Sequence, residues 1–292
     1  MHGRDSTGIL KVTVRPAGRR GADQSDRDGR APHRSEDAGL PHDWLFFLAW
    51  GGGCGLWTGM NLLREKFRAS PIYCRVAPFV IFLVLTFCQS GSGGTPYWFY
   101  FIKIIAGAWL IWEMRPFVPE MRWAISWEAI VIGVLVFVMW VGIDPYYAHQ
   151  GNLGKVLGLS HEDKAPAPAW NPNVYFGAGS AAWFFMVMRV AGMTLVVPPL
   201  EEVFWRSFLY RWFVRTDFEA MPLSRFHATS FIVTSGLFGF EHDQWLAGVL
   251  CGFAYQWLVI RKNRLGDAMT AHAITNFMLG VYVIWKGAWQ FF

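Results

Sequence analysis

In the run Pro198-Pro199-Leu200-Glu201-Glu202-Val203-Phe204-Trp205-Arg206, two adjacent carboxylates and an arginine stand at the edge of a hydrophobic segment. Ionised groups are costly there and usually functional. Two later apolar stretches carry Phe238-Gly239-Phe240-Glu241-His242 and His272-Ala273-Ile274-Thr275-Asn276. A carboxylate base, a histidine to share in polarising water, and a second histidine with an amide able to donate to an oxyanion make a complete kit for amide hydrolysis.

The spacing divides the labour. Pro198 and Pro199 remove two backbone donors, which predicts a break followed by a helix over 200–214 with proline at its first turn. Glu201 and Glu202 then fall at a helix N-terminus, where the macrodipole favours carboxylates. Glu202 and Arg206 are four apart and share a face suited to an ion pair. Glu201 points about 100° away and is free to face a cavity, so it reads as the better base. Phe238 and His242 also share a face, as do His272 and Asn276. Each piece has a bland reading. An acidic helix start with a salt bridge is ordinary, a lone histidine near an interface is more often structural, and a His–Asn pair can simply bind two helices together. Glu241 and Asp243 read as helix caps facing water. The combination, rather than any single motif, carries the chemistry.

The elements that must position these residues are hydrophobic. Of 292 residues, 53% are hydrophobic, 17% aromatic and only 16% charged, which departs from soluble averages toward a polytopic membrane protein. The net charge of +5 reads as loop charge that orients helices, and no basic run interleaved with exposed aromatics suggests nucleic acid. Cys54, Cys74, Cys88 and Cys251 show no CxxC spacing and read as small buried hydrophobes.

Residues 1–43 are rich in Arg, Asp, Gly and Ser, the composition of a segment unable to form a core. The apolar run 44–59 is sixteen residues long and interrupted by Gly51-Gly52-Gly53, short of the roughly 20 residues a spanning helix needs. Met60 begins what looks like an ordinary short cytoplasmic N-terminus, so 1–59 reads either as a disordered extension or as sequence upstream of the true start. Apolar runs follow at 76–92, 96–112, 127–143, 177–197, 227–240, 245–260 and 268–285. Basic residues cluster in 64–75, 206–225 and 261–264, whereas 89–95 and 241–244 hold no Lys or Arg. The positive-inside rule puts the basic loops in the cytoplasm. The Pro-rich connection 144–176 falls on the outer side, as a cap or a tether. Lys103 and Arg189 are charges inside spans: Lys103 is expected to snorkel or pair within the bundle and Arg189 to meet a carboxylate that the sequence does not name, and His149 and His161 have no spacing that implies a site.

The order EEVFWR, FGFEH, HAITN resembles the CPBP family, the group of CAAX prenyl proteases and bacteriocin-processing (Abi) intramembrane proteases. The family shows Glu-Glu-x-x-x-Arg, Phe-x-x-x-His and His-x-x-x-Asn/Asp on successive membrane helices, and all three are present here. The resemblance covers about residues 177–285, and the run from 75 onward also looks like the CAAX-protease-related proteins of exosortase (PEP-CTERM) sorting systems. It implies Glu201 as the general base, His242 as its assistant, His272 and Asn276 as the oxyanion stabilisers, and Glu202 and Arg206, with Phe238, as supports. No cofactor is expected. A divalent ion held by Glu201, Glu202, His242 and His272 is the rival, weakened by the absence of HExxH and by an arginine that would compete with a cation.

The expectation is therefore an all-α, polytopic transmembrane helical bundle of seven spans, or eight if 198–214 crosses or 44–59 is a real span. Its parts are an extension 1–59, N-terminal membrane helices and outer loop 60–176, and a catalytic membrane domain 177–292. The expected function is hydrolysis of a peptide bond in a membrane-anchored or lipid-modified protein or peptide, by glutamate-activated water, in a multi-pass protein of the bacterial inner membrane. The expected partners are that substrate and membrane lipid, with no nucleic acid. In a bacterium a CAAX protein is not the expected substrate. Two rivals are a non-catalytic scaffold, immunity or transport protein and a metal-dependent protease at the same site.

Overall fold

The computed structural model describes residues 61–90, 96–152 and 170–292, and their regular structure is entirely helical. The expectations for 1–59, for the span 44–59, for Met60 and for the middle of the 144–176 connection lie outside the described residues. A short helix α1 (61–69) leads into α2 (Pro71–Ser90), α3 (Pro96–Met114) and α4 (Trp127–Ile143). After the outer connection come α5 (Pro172–Phe176), α6 (Ser180–Leu195) and α7 (Val197–Glu202), which runs through a π-helical turn at Val203–Leu209 into α8 (Tyr210–Trp212). The last three are α9 (Ala228–Phe240), α10 (Trp245–Lys262) and α11 (Gly266–Lys286).

Local chemistry sets these boundaries. Ser126 caps α4 by accepting from the Ala129 N–H, as N-cap hydroxyls do. Asn263 (φ 52°) ends α10 and Gly287 (φ 67°) ends α11 in the left-handed conformation that terminates helices.

Four segments among the described residues are long and apolar enough to cross a membrane: Pro71–Gln89, Trp127–Asn152, Ser180–Trp212 and Gly266–Lys286. The protein is thus an all-α, multi-pass membrane protein. Helices also stand where the runs 96–112, 227–240 and 245–260 predict them, but α9 has 13 residues, which rise only about 20 Å and fall short of the hydrocarbon core. Large apolar side chains such as Trp98, Ile102, Ile105 and Trp109 of α3 face outward, as a lipid-facing surface requires.

The break at Pro198-Pro199 is slighter than the sequence suggests. Val196 keeps right-handed helical backbone angles, and its N–H still donates to the Gly192 carbonyl at 2.9 Å. The interruption is one residue wide, so 180–212 runs as one rod, and 198–214 is its continuation rather than a separate span. Glu201 and Glu202 lie within that rod, where a terminal macrodipole has little hold on them.

Helices α4 and α6 both pack on α11, and α9 on α10. At Gly133 of α4, any Cβ would sit 2.7 Å from the Ala271 carbonyl of α11, so only glycine permits the approach beside His272. At the end carrying the basic loops, Glu120 Oε1 accepts from Arg75 Nη2 at 2.9 Å, from Arg211 Nη2 at 3.0 Å and from the Ser207 hydroxyl. Arg75 also meets Glu219 at 2.9 Å. Lys103 donates to Thr86 Oγ1 at 3.3 Å. Arg189, for which a carboxylate partner is the sequence-based expectation, instead lies over the rings of Trp170, Tyr100 and Phe292 at 4.6–5.0 Å. Cys74 and Cys251 are buried as expected, while Cys88 is exposed on α2.

Candidate active site

The rod brings Glu201, Glu202 and Arg206 to the bundle interior, and all three are buried. Arg206 lies in the π-helical turn, a backbone irregularity frequent at functional sites. Glu202 has no exposed surface. Its Oε1 faces His272 Nδ1 at 2.9 Å, and its Oε2 faces Arg206 Nε at 3.2 Å. The predicted Glu202–Arg206 pair is formed, and a histidine from α11 joins it. A carboxylate can only accept, so His272 Nδ1 carries hydrogen and Nε2 is the nitrogen turned toward Glu201.

Glu201 differs from its neighbour. Its Oε2 is buried without a hydrogen-bond partner and lies 4.0 Å from His272 Nε2, too far for a direct bond. The Arg206 Nη1 and Nη2 atoms are likewise buried and unpartnered, with the guanidinium 4.1 Å above the Phe238 ring, a cation–π contact. Phe238 therefore supports the arginine as well as lying beside His242.

His242 follows α9. Its Nδ1 lies 3.0 Å from the Phe238 carbonyl, which can only accept, so Nδ1 is protonated and Nε2 carries a free lone pair. Its ring meets the Trp140 ring edge-on, 5.4 Å between centroids. Asn276 donates Nδ2–H to the Met193 carbonyl at 2.7 Å, which leaves one amide N–H for another acceptor. Glu201, His242, His272 and Asn276 all line one cavity of about 160 Å³, together with Phe238 and residues such as Trp140, Tyr255 and Gln244. The structure thus brings together all four residues expected to do chemistry.

Some contributors were not foreseen. Tyr255 stacks on His272 at 5.3 Å, and its hydroxyl donates to Thr275 Oγ1 at 2.7 Å. Nothing in the sequence marks this tyrosine inside an aromatic-rich chain. Glu241 does not simply face water: it is partly buried, and Trp205 Nε1 donates to its Oε2 at 2.9 Å. The signal for that contact is the indole inside EEVFWR, the one donor side chain between Glu202 and Arg206.

For a divalent ion the arrangement is poor. Among the described residues no group of three or more His, Cys, Asp or Glu could hold a metal, and Glu202 already faces Arg206 and His272. The residues present do not fit the group that the metal-dependent rival needs.

A multi-pass helical membrane protein with a carboxylate–histidine–amide cluster enclosed among its helices is the class that fold and site define. Residues 180–278 match the family model of type II CAAX prenyl endopeptidase Rce1-like proteins. The match includes all three motifs, and the resemblance to CPBP/CAAX proteases drawn from them holds over that segment. No curated protein and no solved structure matches the chain.

Proposed function

We propose that the chain is an intramembrane endopeptidase that cleaves a membrane-anchored or lipid-modified protein with water activated by Glu201. The observation that carries this reading is the contrast inside the cavity: Glu202 is held by His272 on Oε1 and by the Arg206 charge at 3.2 Å on Oε2, whereas Glu201 Oε2 has no hydrogen-bond partner and only His272 Nε2, 4.0 Å away, beside it. A water between those atoms can lie about 2.8 Å from each. Glu201 takes its proton as the water attacks the scissile carbonyl, and the lone pair of His242 Nε2 is a second acceptor for that water. The carbonyl oxygen becomes an oxyanion, met by the remaining Asn276 N–H and by His272 Nε2–H when the ring carries both protons. Glu201 then delivers the proton to the leaving amine, which balances the hydrolysis. No step needs a metal.

Part of the lining, Trp140, His242, Gln244 and Phe291, comes from segments at the end opposite the basic loops. By the positive-inside rule, the scissile bond is presented from the non-cytoplasmic half of a bacterial inner membrane. The decisive experiment is cleavage of a membrane-anchored reporter by the purified chain and by Glu201→Gln. Loss of cleavage in a variant that stays folded supports the protease reading. Undiminished cleavage removes it, and loss of fold in both Glu201→Gln and His272→Ala favours the scaffold alternative.

A further inference from the structure

A second cavity is larger than the one that holds Glu201 and His272. A cleft of about 860 Å³ opens beside the turn between α3 and α4, and its lining includes Arg115 and Arg122, Trp112 and Trp123, with Pro199 and Met269 at its back. Its size is that of a small-molecule site. Both arginines are exposed, and neither has an ion pair among the described residues.

Their freedom has a structural cause. The turn's own acid, Glu120, is drawn inward to Arg75 and Arg211. The acids of the flanking segments are engaged too: Glu113 with Arg64, Glu128 with Lys262 and Asp267 with Arg264. The cleft therefore presents two uncompensated guanidinium groups above an apolar wall. By the alternation of basic loops it lies at the cytoplasmic end, and Trp112 and Trp123, both well exposed, mark the headgroup level. Basic pockets between membrane helices on that side suit phospholipid headgroups, and an arginine fork matches phosphate geometry.

We infer that the cleft between the α3–α4 turn and the backs of α7 and α11 binds one anionic phospholipid of the cytoplasmic leaflet, its phosphate on Arg115 and Arg122 and its acyl chains along Ala108, Ile111 and Trp112. The assignment does not depend on the proposed protease activity. It does bear on it spatially, because Pro199 and Met269, at the back of the cleft, stand two and three residues before Glu201 and His272 on the segments that carry the base and its histidine.

The test is native mass spectrometry of the full chain released from detergent, with phosphatidylglycerol and phosphatidylcholine added at equal concentration. The expected result is one phosphatidylglycerol bound at least five-fold more than phosphatidylcholine, with the preference lost in Arg115→Gln/Arg122→Gln. Ala108→Trp, which fills the cleft and keeps both arginines, should lose the bound lipid as well, so the assignment stays testable if either variant folds poorly. Equal binding of the two lipids, or a preference that survives both variants, overturns the assignment. So does full displacement by millimolar inorganic phosphate, which would make this a free-anion site, or by an uncharged acylated peptide, which would give the cleft to substrate.

Discussion

Two ionic clusters among the described residues are built on opposite plans. At the basic end, Glu120 collects Arg75, Arg211 and Ser207 on one oxygen, and Arg75 reaches Glu219 besides. In the candidate active site, Glu202 bonds His272 through Oε1 and meets Arg206 through Oε2 by charge alone, while Oε2 of both glutamates and both terminal nitrogens of Arg206 lack a hydrogen-bond partner. Buried polar groups without partners are uncommon in folded proteins and call for a reason. A saturated network holds helices together. An unsaturated one beside a cavity holds capacity for something that enters, and water at a carboxylate is the simplest such guest.

If that contrast is right, the largest effect comes from the unsaturated cluster. Glu201→Gln removes the base and keeps the shape. Cleavage of a reporter should fall by about 10²–10⁴-fold with the melting temperature unchanged, because no hydrogen bond to Glu201 Oε2 is lost. A variant that melts early while keeping its turnover per folded molecule would turn the cavity into a second brace. Asn276→Ala comes next. Its amide is both a tie to Met193 and a donor to the reaction, so kcat should drop by about 10²-fold with only a small loss of stability. An unchanged kcat would leave Asn276 as a helix tie alone.

Glu120→Gln sharpens the other side. Breaking a largely buried ion pair leaves Arg75 and Arg211 uncompensated, and stability should fall by about 2–3 kcal/mol, read from denaturation in detergent, while turnover per folded molecule stays the same. The pH dependence follows. Burial by itself would raise the Glu120 carboxyl, but Arg75, the Ser207 hydroxyl and Arg211 outweigh it and hold the group below its ordinary value of 4.5. A carboxyl lowered by folding contributes stability that is full above the unfolded value and is lost as pH falls through the lower folded one. The wild type should therefore lose this contribution only below about pH 4.5, and Glu120→Gln should show none of that acid-side slope.

The candidate catalytic cluster was more legible in the sequence than the brace. Glu201, Glu202, His242, His272 and Asn276 are polar residues in apolar runs, and such residues stand out wherever the hydrophobic background is continuous. Their i, i+4 spacings within single helices also fix which of them share a face. Arg75, Glu120 and Arg211 lie at loop ends, where charge is expected anyway, and their pairing joins residues 45 and 91 positions apart. No local pattern encodes that. Tyr255 escaped for a related reason: in a chain with 17 Trp and 25 Phe, one more ring carries no signal until its partner is seen. The double proline misled in the other direction, because two missing N–H donors can be absorbed inside a packed rod without ending it.

The smallest predicted effect lies between the two clusters in kind. His149 had no spacing to recommend it, yet its Nε2 meets Asp144 at 2.8 Å and its Nδ1 meets Asp243 at 3.3 Å. Around it the Gln150 N–H donates to the Asp243 carbonyl at 2.8 Å, and Trp245 Nε1 donates to the Ala148 carbonyl at 3.0 Å. These contacts fasten the start of the outer connection to the loop that carries His242. Because the other two bonds do not involve the His149 ring, His149→Ala should loosen that loop rather than release it. Partly exposed ion pairs contribute about 1 kcal/mol at most, so cleavage should fall by no more than about five-fold, with the melting temperature nearly unchanged. If the outer segment is only a tether, turnover will not move at all. If the variant is as inactive as Glu201→Gln, the loop is part of the reacting centre, and the division between a saturated brace and an unsaturated site has to be redrawn to include it.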